Sequence, residues 1–160
     1  MRAAEACLLA LAAGSVAACG EPATGFAWDV TLSTFEDRCS DTGDPYLETL
    51  TYVLNFDGAA VDVAIDVPGE GPITFATGGI AGCGIDYASV VWEELRDGHS
   101  VRWQIEGSAR WRQGGIGCNL EPGVDWLGTE TFEILYSLHP DIPAGCRVLL
   151  NAEGVYVGEL

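Results

Sequence analysis

At 160 residues and a formal net charge of −17, the chain has room for one compact domain, which excludes a Rossmann enzyme with a partner domain. Its seven cationic side chains are all arginines and face 24 carboxylates, so a nucleic-acid backbone would be repelled rather than neutralised. With 48% apolar and 19% charged residues the sequence can bury a core, which excludes disorder as well.

The first residues read as an export signal. Met1 and Arg2 give a short positive start, interrupted by Glu5, and residues 6–18 form an apolar run of 13 that ends in small side chains. A membrane span needs about 20 apolar residues, so this run has the length of a signal h-region instead. Its end, Val16-Ala17-Ala18-Cys19, resembles the lipobox of bacterial lipoproteins, in which small residues admit the peptidase and the cysteine thiol takes the lipid. Val16 stands where leucine is commoner, and Glu5 lies in a region that is usually basic. The rival reading is an ordinary signal peptide with an incidental cysteine.

The resemblance, which covers residues 1–19, implies a signal peptide over residues 1–18 and a lipidated Cys19; residues 19–27 are then the lipidated cysteine with its tether, and 28–160 are read as a single β domain. Acyl chains such as palmitate would anchor the mature protein stably once two or more are attached. Gly20 rather than an aspartate follows the cysteine, which by the same resemblance points to the outer membrane of a Gram-negative cell, with the domain facing the periplasm or the exterior. The lipid bilayer is then a partner through the anchor.

From Trp28 onward the apolar residues recur with period two, the spacing of a half-buried strand. Trp28, Val30 and Leu32 alternate with polar neighbours, as do Leu50, Tyr52, Leu54 and Phe56, and then Val61, Val63, Ile65 and Val67. The longest case puts Val101, Trp103, Ile105, Gly107, Ala109 and Trp111 on one face; Phe132, Ile134, Tyr136 and Leu138 repeat the pattern. Asp57-Gly58 and Asp97-Gly98 are hairpin signals, and Pro68 to Pro72 and Thr77-Gly78-Gly79 mark two further turns. The expected strands are 27–36, 46–57, 60–67, 72–77, 79–95, 99–113, 127–138 and 146–158. The fold class is all-β, an antiparallel meander of about eight strands, with a closed barrel preferred over a β-sandwich because closure removes exposed edges. In outline this resembles a lipocalin or avidin barrel, but the chain carries none of the lipocalin sequence blocks, so the likeness implies no ligand.

With Cys7 in the signal and Cys19 assigned to lipid, Cys39, Cys83, Cys118 and Cys146 remain, an even number that suits disulfides in an exported chain. No two of them form a C-x-x-C pair, which disfavours zinc. Closure of the meander places Cys39 and Cys146 at one end and Cys83 and Cys118 at the other, so Cys39–Cys146 and Cys83–Cys118 are the expected bonds.

Chemistry is sparse. Asp41-Thr42-Gly43 matches the aspartic-protease triplet in letters, but it occurs once, in an acidic loop rather than after an apolar strand. Asp37, Asp41 and Asp44 could ligate calcium, the one cofactor considered, although a solvated acidic loop is preferred because no D-x-D-x-D-G run is present. His99 and His139 have no Ser or Cys in a nucleophile context, so no catalytic residue is assigned. Trp28, Trp103 and Trp111 fall on the inner face, where the simpler reading is core filling and the functional one a platform for an apolar or sugar ligand in the barrel mouth. The expectation is a lipid-anchored, disulfide-bonded envelope lipoprotein with a structural or protein-interaction role. Small-ligand binding in a lipocalin-like barrel is the alternative, and a loop-built hydrolase comes last.

Overall fold

Period-two alternation is realised as strands throughout the computed structural model, which describes residues 25–39, 46–112 and 123–160; no helix occurs among them. In chain order they are β1 (Phe26–Asp37), β2 (Leu47–Asp57), β3 (Ala60–Val67), β4 (Gly71–Ile80), β5 (Gly84–Ser89), β6 (Trp92–Arg96), β7 (His99–Trp111), β8 (Trp126–Ser137) and β9 (Arg147–Glu159). Each pairs antiparallel with its neighbour in the chain, except that β5 pairs with β7 past β6. β9 returns to β1 along its whole length, from Phe26 opposite Glu159 to Asp37 opposite Val148. Eight strands therefore close into a barrel, and β6 stands outside it, paired to β7 alone. The closed barrel, not the sandwich, is the fold.

The hairpin signals act as expected. Asp97 (φ 48°) and Gly98 (φ 80°) both take positive φ between paired Arg96 and His99, as a type I′ turn requires. Gly58 (φ 61°) turns β2 into β3.

Three expectations are corrected. Thr77-Gly78-Gly79 is not a turn but the end of β4. A Cβ at Gly78 would collide with the Asp86 carbonyl and the Tyr87 backbone, so the glycine permits close strand approach instead of reversing the chain. The reversal falls at Gly82 (φ 58°), where Ala81 N–H donates to the Gly84 carbonyl. The expected strand over 79–95 is two strands. Between the pairs Ala88 opposite Glu106 and Trp92 opposite Trp103, residues 89–91 face only 104–105, and the chain bends there. At that bend the Ser89 hydroxyl accepts the Ile105 N–H (2.9 Å) in place of a backbone carbonyl. Finally, the inner-face alternation of β8 ends at Ile134. Leu135 is a bulge between the pairs Trp103–Ile134 and Arg102–Tyr136, so Tyr136 turns outward beneath the Arg102 guanidinium, 5.6 Å from its ring centre, and Leu138 is exposed.

The barrel has two unlike ends. At the end where β1 begins, Trp28, Trp111 and Tyr156 pack together, with ring centres 5.6 and 5.3 Å from Trp28. Trp28 is wholly buried and donates its Nε1–H to the Val124 carbonyl. Trp126 opens β8 and is also core, its ring lying where a Cβ of Gly154 would be. At the other end, Cys39 is joined to Cys146, tying the exit of β1 to the entry of β9 across 107 residues. Cys83 is also in a disulfide, and Cys118, its expected partner, lies outside the described residues.

Candidate ligand cavity

Continuing the inner face of β8 backwards from Phe132 leads to Glu130, then Gly128 and Trp126. Their cross-strand neighbours on β9, Leu150, Ala152 and Gly154, face the same interior. Glu130 is thus a carboxylate set among core residues, 3% exposed. Two phenols meet it: Tyr52 of β2 donates to Oε1 at 2.9 Å and Tyr87 of β5 to the same oxygen at 2.5 Å. Gly107 lets Tyr87 reach it, because a Cβ there would fall inside the Tyr87 ring. Burial pushes the Glu130 carboxyl above its ordinary range, and the hydrogen bonds from Tyr87 and Tyr52 offset only part of that rise. Burial first, and the negative field of Glu130 second, push both phenols well above theirs.

Glu130 and Tyr52 also bound a cavity of about 650 Å³ in the half of the barrel away from the tryptophan-packed end. Its walls are apolar, formed by Leu32, Leu50, Ile65, Ile105, Phe132 and Leu150. Toward the mouth stand Asp37, Tyr46 and Arg96, at the same end as the Cys39–Cys146 bond. Arg96 comes from β6 and is paired with Glu94 at 2.5 Å. The Tyr46 hydroxyl is bonded to Glu48, and burial followed by that carboxylate pushes its pKa up to about 12. The volume suits a small molecule, and a largely apolar wall with few convergent polar groups is the usual make-up of a ligand pocket.

The residues singled out in the sequence are distributed around this cavity rather than within it. Trp28 and Trp111 belong to the packed end, and Trp103 is half-buried between Trp92 (5.8 Å, stacked) and Phe132 (5.3 Å). Of the acidic loop, Asp37 stands at the mouth and accepts the Cys39 N–H, while Asp41 and Asp44 lie outside the described residues, as does Cys19. Among the described residues no group of three His, Cys, Asp or Glu side chains is placed to hold a metal. His99 and His139, far apart in sequence, meet edge to face at 5.6 Å, and His139 Nε2 lies 3.4 Å from an exposed Asp97 carboxylate.

A prediction follows from the buried acid. A carboxyl whose folded pKa is raised holds more protons folded than unfolded above the ordinary carboxylate pKa of about 4.3, so folding stability falls as pH rises through that range. Glu130→Gln keeps an acceptor for the tyrosines and removes the charge. It is expected to raise the unfolding free energy by about 1–3 kcal/mol at pH 7, with the gain shrinking to nothing near pH 4. Urea denaturation of both proteins at the two pH values measures it, and a gain independent of pH would contradict the assignment.

Comparison of the chain with protein-family models, curated proteins and solved structures found no match. The functional reading therefore rests on the barrel and its cavity.

Proposed function

We propose that the protein is a lipid-anchored envelope lipoprotein whose barrel holds a small, mainly apolar molecule in its lumen. The observation that supports binding is the apolar cavity of about 650 Å³ with one buried carboxylate at its boundary with the core. A barrel of eight strands that served only as a scaffold could fill its interior with side chains, as this one does at its tryptophan-packed end. A lumen left unfilled at the other end favours the ligand-binding reading over a purely structural one.

The lipobox resemblance supports the anchor at Cys19. β1 starts at Phe26 at the packed end, and seven intervening steps of about 3.4 Å allow that end to sit within roughly 24 Å of the acyl chains. The cavity mouth lies at the opposite end of the barrel from Phe26. The strong negative charge keeps the domain off anionic headgroups and leaves the acyl chains as the bilayer contact.

Filling the lumen tests the binding role. Ile105→Trp, and separately Leu50→Trp, are expected to abolish uptake of an apolar fluorophore such as 1-aminoanthracene by the wild-type barrel, while thermal unfolding shows both variants folded. Uptake unchanged in both would overturn the cavity as the binding site. Intact mass of the exported protein tests the anchor: the expected species begins at an acylated Cys19, and an unmodified thiol there refutes it.

A further inference from the structure

The polar groups of the cavity specify which apolar molecule it takes. Glu130 is almost wholly buried, yet both of its hydrogen-bond donors, Tyr52 and Tyr87, are spent on Oε1, and no described residue donates to Oε2. Among the described lining residues the one cation, Arg96, stands at the mouth and is already paired with Glu94. The other charged group there, Asp37, is a second acid. A buried carboxylate without a cation is costly, and a charge-assisted N–H donor supplied by an occupant offsets that cost where a neutral hydroxyl does so only in part. A ligand carboxylate would meet repulsion.

We infer that the cavity selects a primary alkyl amine in its protonated form, with the ammonium on Glu130 Oε2 and the alkyl chain along Leu32, Leu50, Ile65, Ile105 and Leu150. The inference rests on the cavity being a binding site and adds the chemical class of its occupant. The net charge of −17 raises the local concentration of any cation but cannot by itself distinguish one alkyl cation site from another, so Glu130 carries the selectivity.

Calorimetric titration of the intact domain with decylamine, decanol and decanoic acid, at pH 7 and about 150 mM salt to screen the surface charge, tests it. Decylamine is expected to bind at least about tenfold tighter than decanol, with decanoic acid weakest. Glu130→Gln is expected to erase the advantage of the amine over decanol, and Glu130→Leu combined with Tyr52→Phe and Tyr87→Phe, which removes the phenol hydroxyls together with their acceptor, serves as the second variant if the amide disturbs the tyrosines. Equal affinity for amine and alcohol, or an amine preference that survives both substitutions, overturns the inference and leaves the cavity as a site for neutral apolar molecules. Binding of none of the three ligands overturns the cavity reading as well.

Discussion

Replacing Cys39 and Cys146 together by serine is expected to lower the unfolding free energy by about 4–5 kcal/mol. The bond closes a loop of 107 residues, and in the chain-entropy account such a crosslink restricts the unfolded chain by about that amount. The local fabric around it is too light to replace it. Cys39 leaves β1 just beyond its last pair with β9, held by the Arg38 N–H on the Arg147 carbonyl and its own N–H on Asp37. Cys146 is buried with Val101 and Ile134, and two serine hydroxyls there would add an unpaired polar group to an apolar cluster. Against a total of about 5–15 kcal/mol for a domain of this size, the loss leaves a marginal fold. Urea midpoints of the two oxidised proteins measure it. A shift corresponding to less than about 1 kcal/mol would mean that the β1–β9 ladder alone holds the seam.

Trp28→Ala is expected to cost about 3–5 kcal/mol, the range for removing a large aromatic side chain from a packed core. Trp28 has no exposed surface and packs against Phe26, Trp111 and Tyr156; its indole N–H is also the donor to the Val124 carbonyl. Truncation therefore opens a void at the packed end and leaves the Val124 carbonyl, just before β8, without its indole donor. Because the cavity walls come from Leu32, Ile65, Ile105 and their neighbours rather than from the tryptophans, the folded fraction of this variant is expected to retain fluorophore uptake. A variant with wild-type stability that fails to take up the probe would instead place the binding site among the tryptophans.

The contrast between those two ends marks what could be read from the sequence. Alternation in residues 28–32, 50–67 and 101–111 was enough to assign the inner face and, with the turn glycines, the meander and the end at which Cys39 meets Cys146. The same alternation says which face a tryptophan takes but not its height along the barrel, since tilt and register decide whether Trp28 lies beside a packed plug or an open lumen. Glu130 was within reach, because stepping back from Phe132 by two lands on it. Flanked by Thr129, Thr131 and Glu133, however, it resembles a solvated face, and only the cross-strand partners Leu150 and Gly107 show that it points inward. The bulge at Leu135 and the bend after Ser89 escape a strict period of two, since each inserts residues that flip the phase without a composition signal. Gly78 shows the converse, a turn residue required for contact between strands.

The short strand β6 carries a consequence for crowding. β6 is hydrogen-bonded along one flank only, to β7, and its other flank is an open row of amides and carbonyls, with solvent-facing Val90 and Val91 just before the strand and Leu95 within it. Such a row is a template for strand addition by a neighbouring molecule. The strand is five residues long and carries Glu93, Glu94 and Arg96, and both its brevity and its charges count against strand pairing between copies.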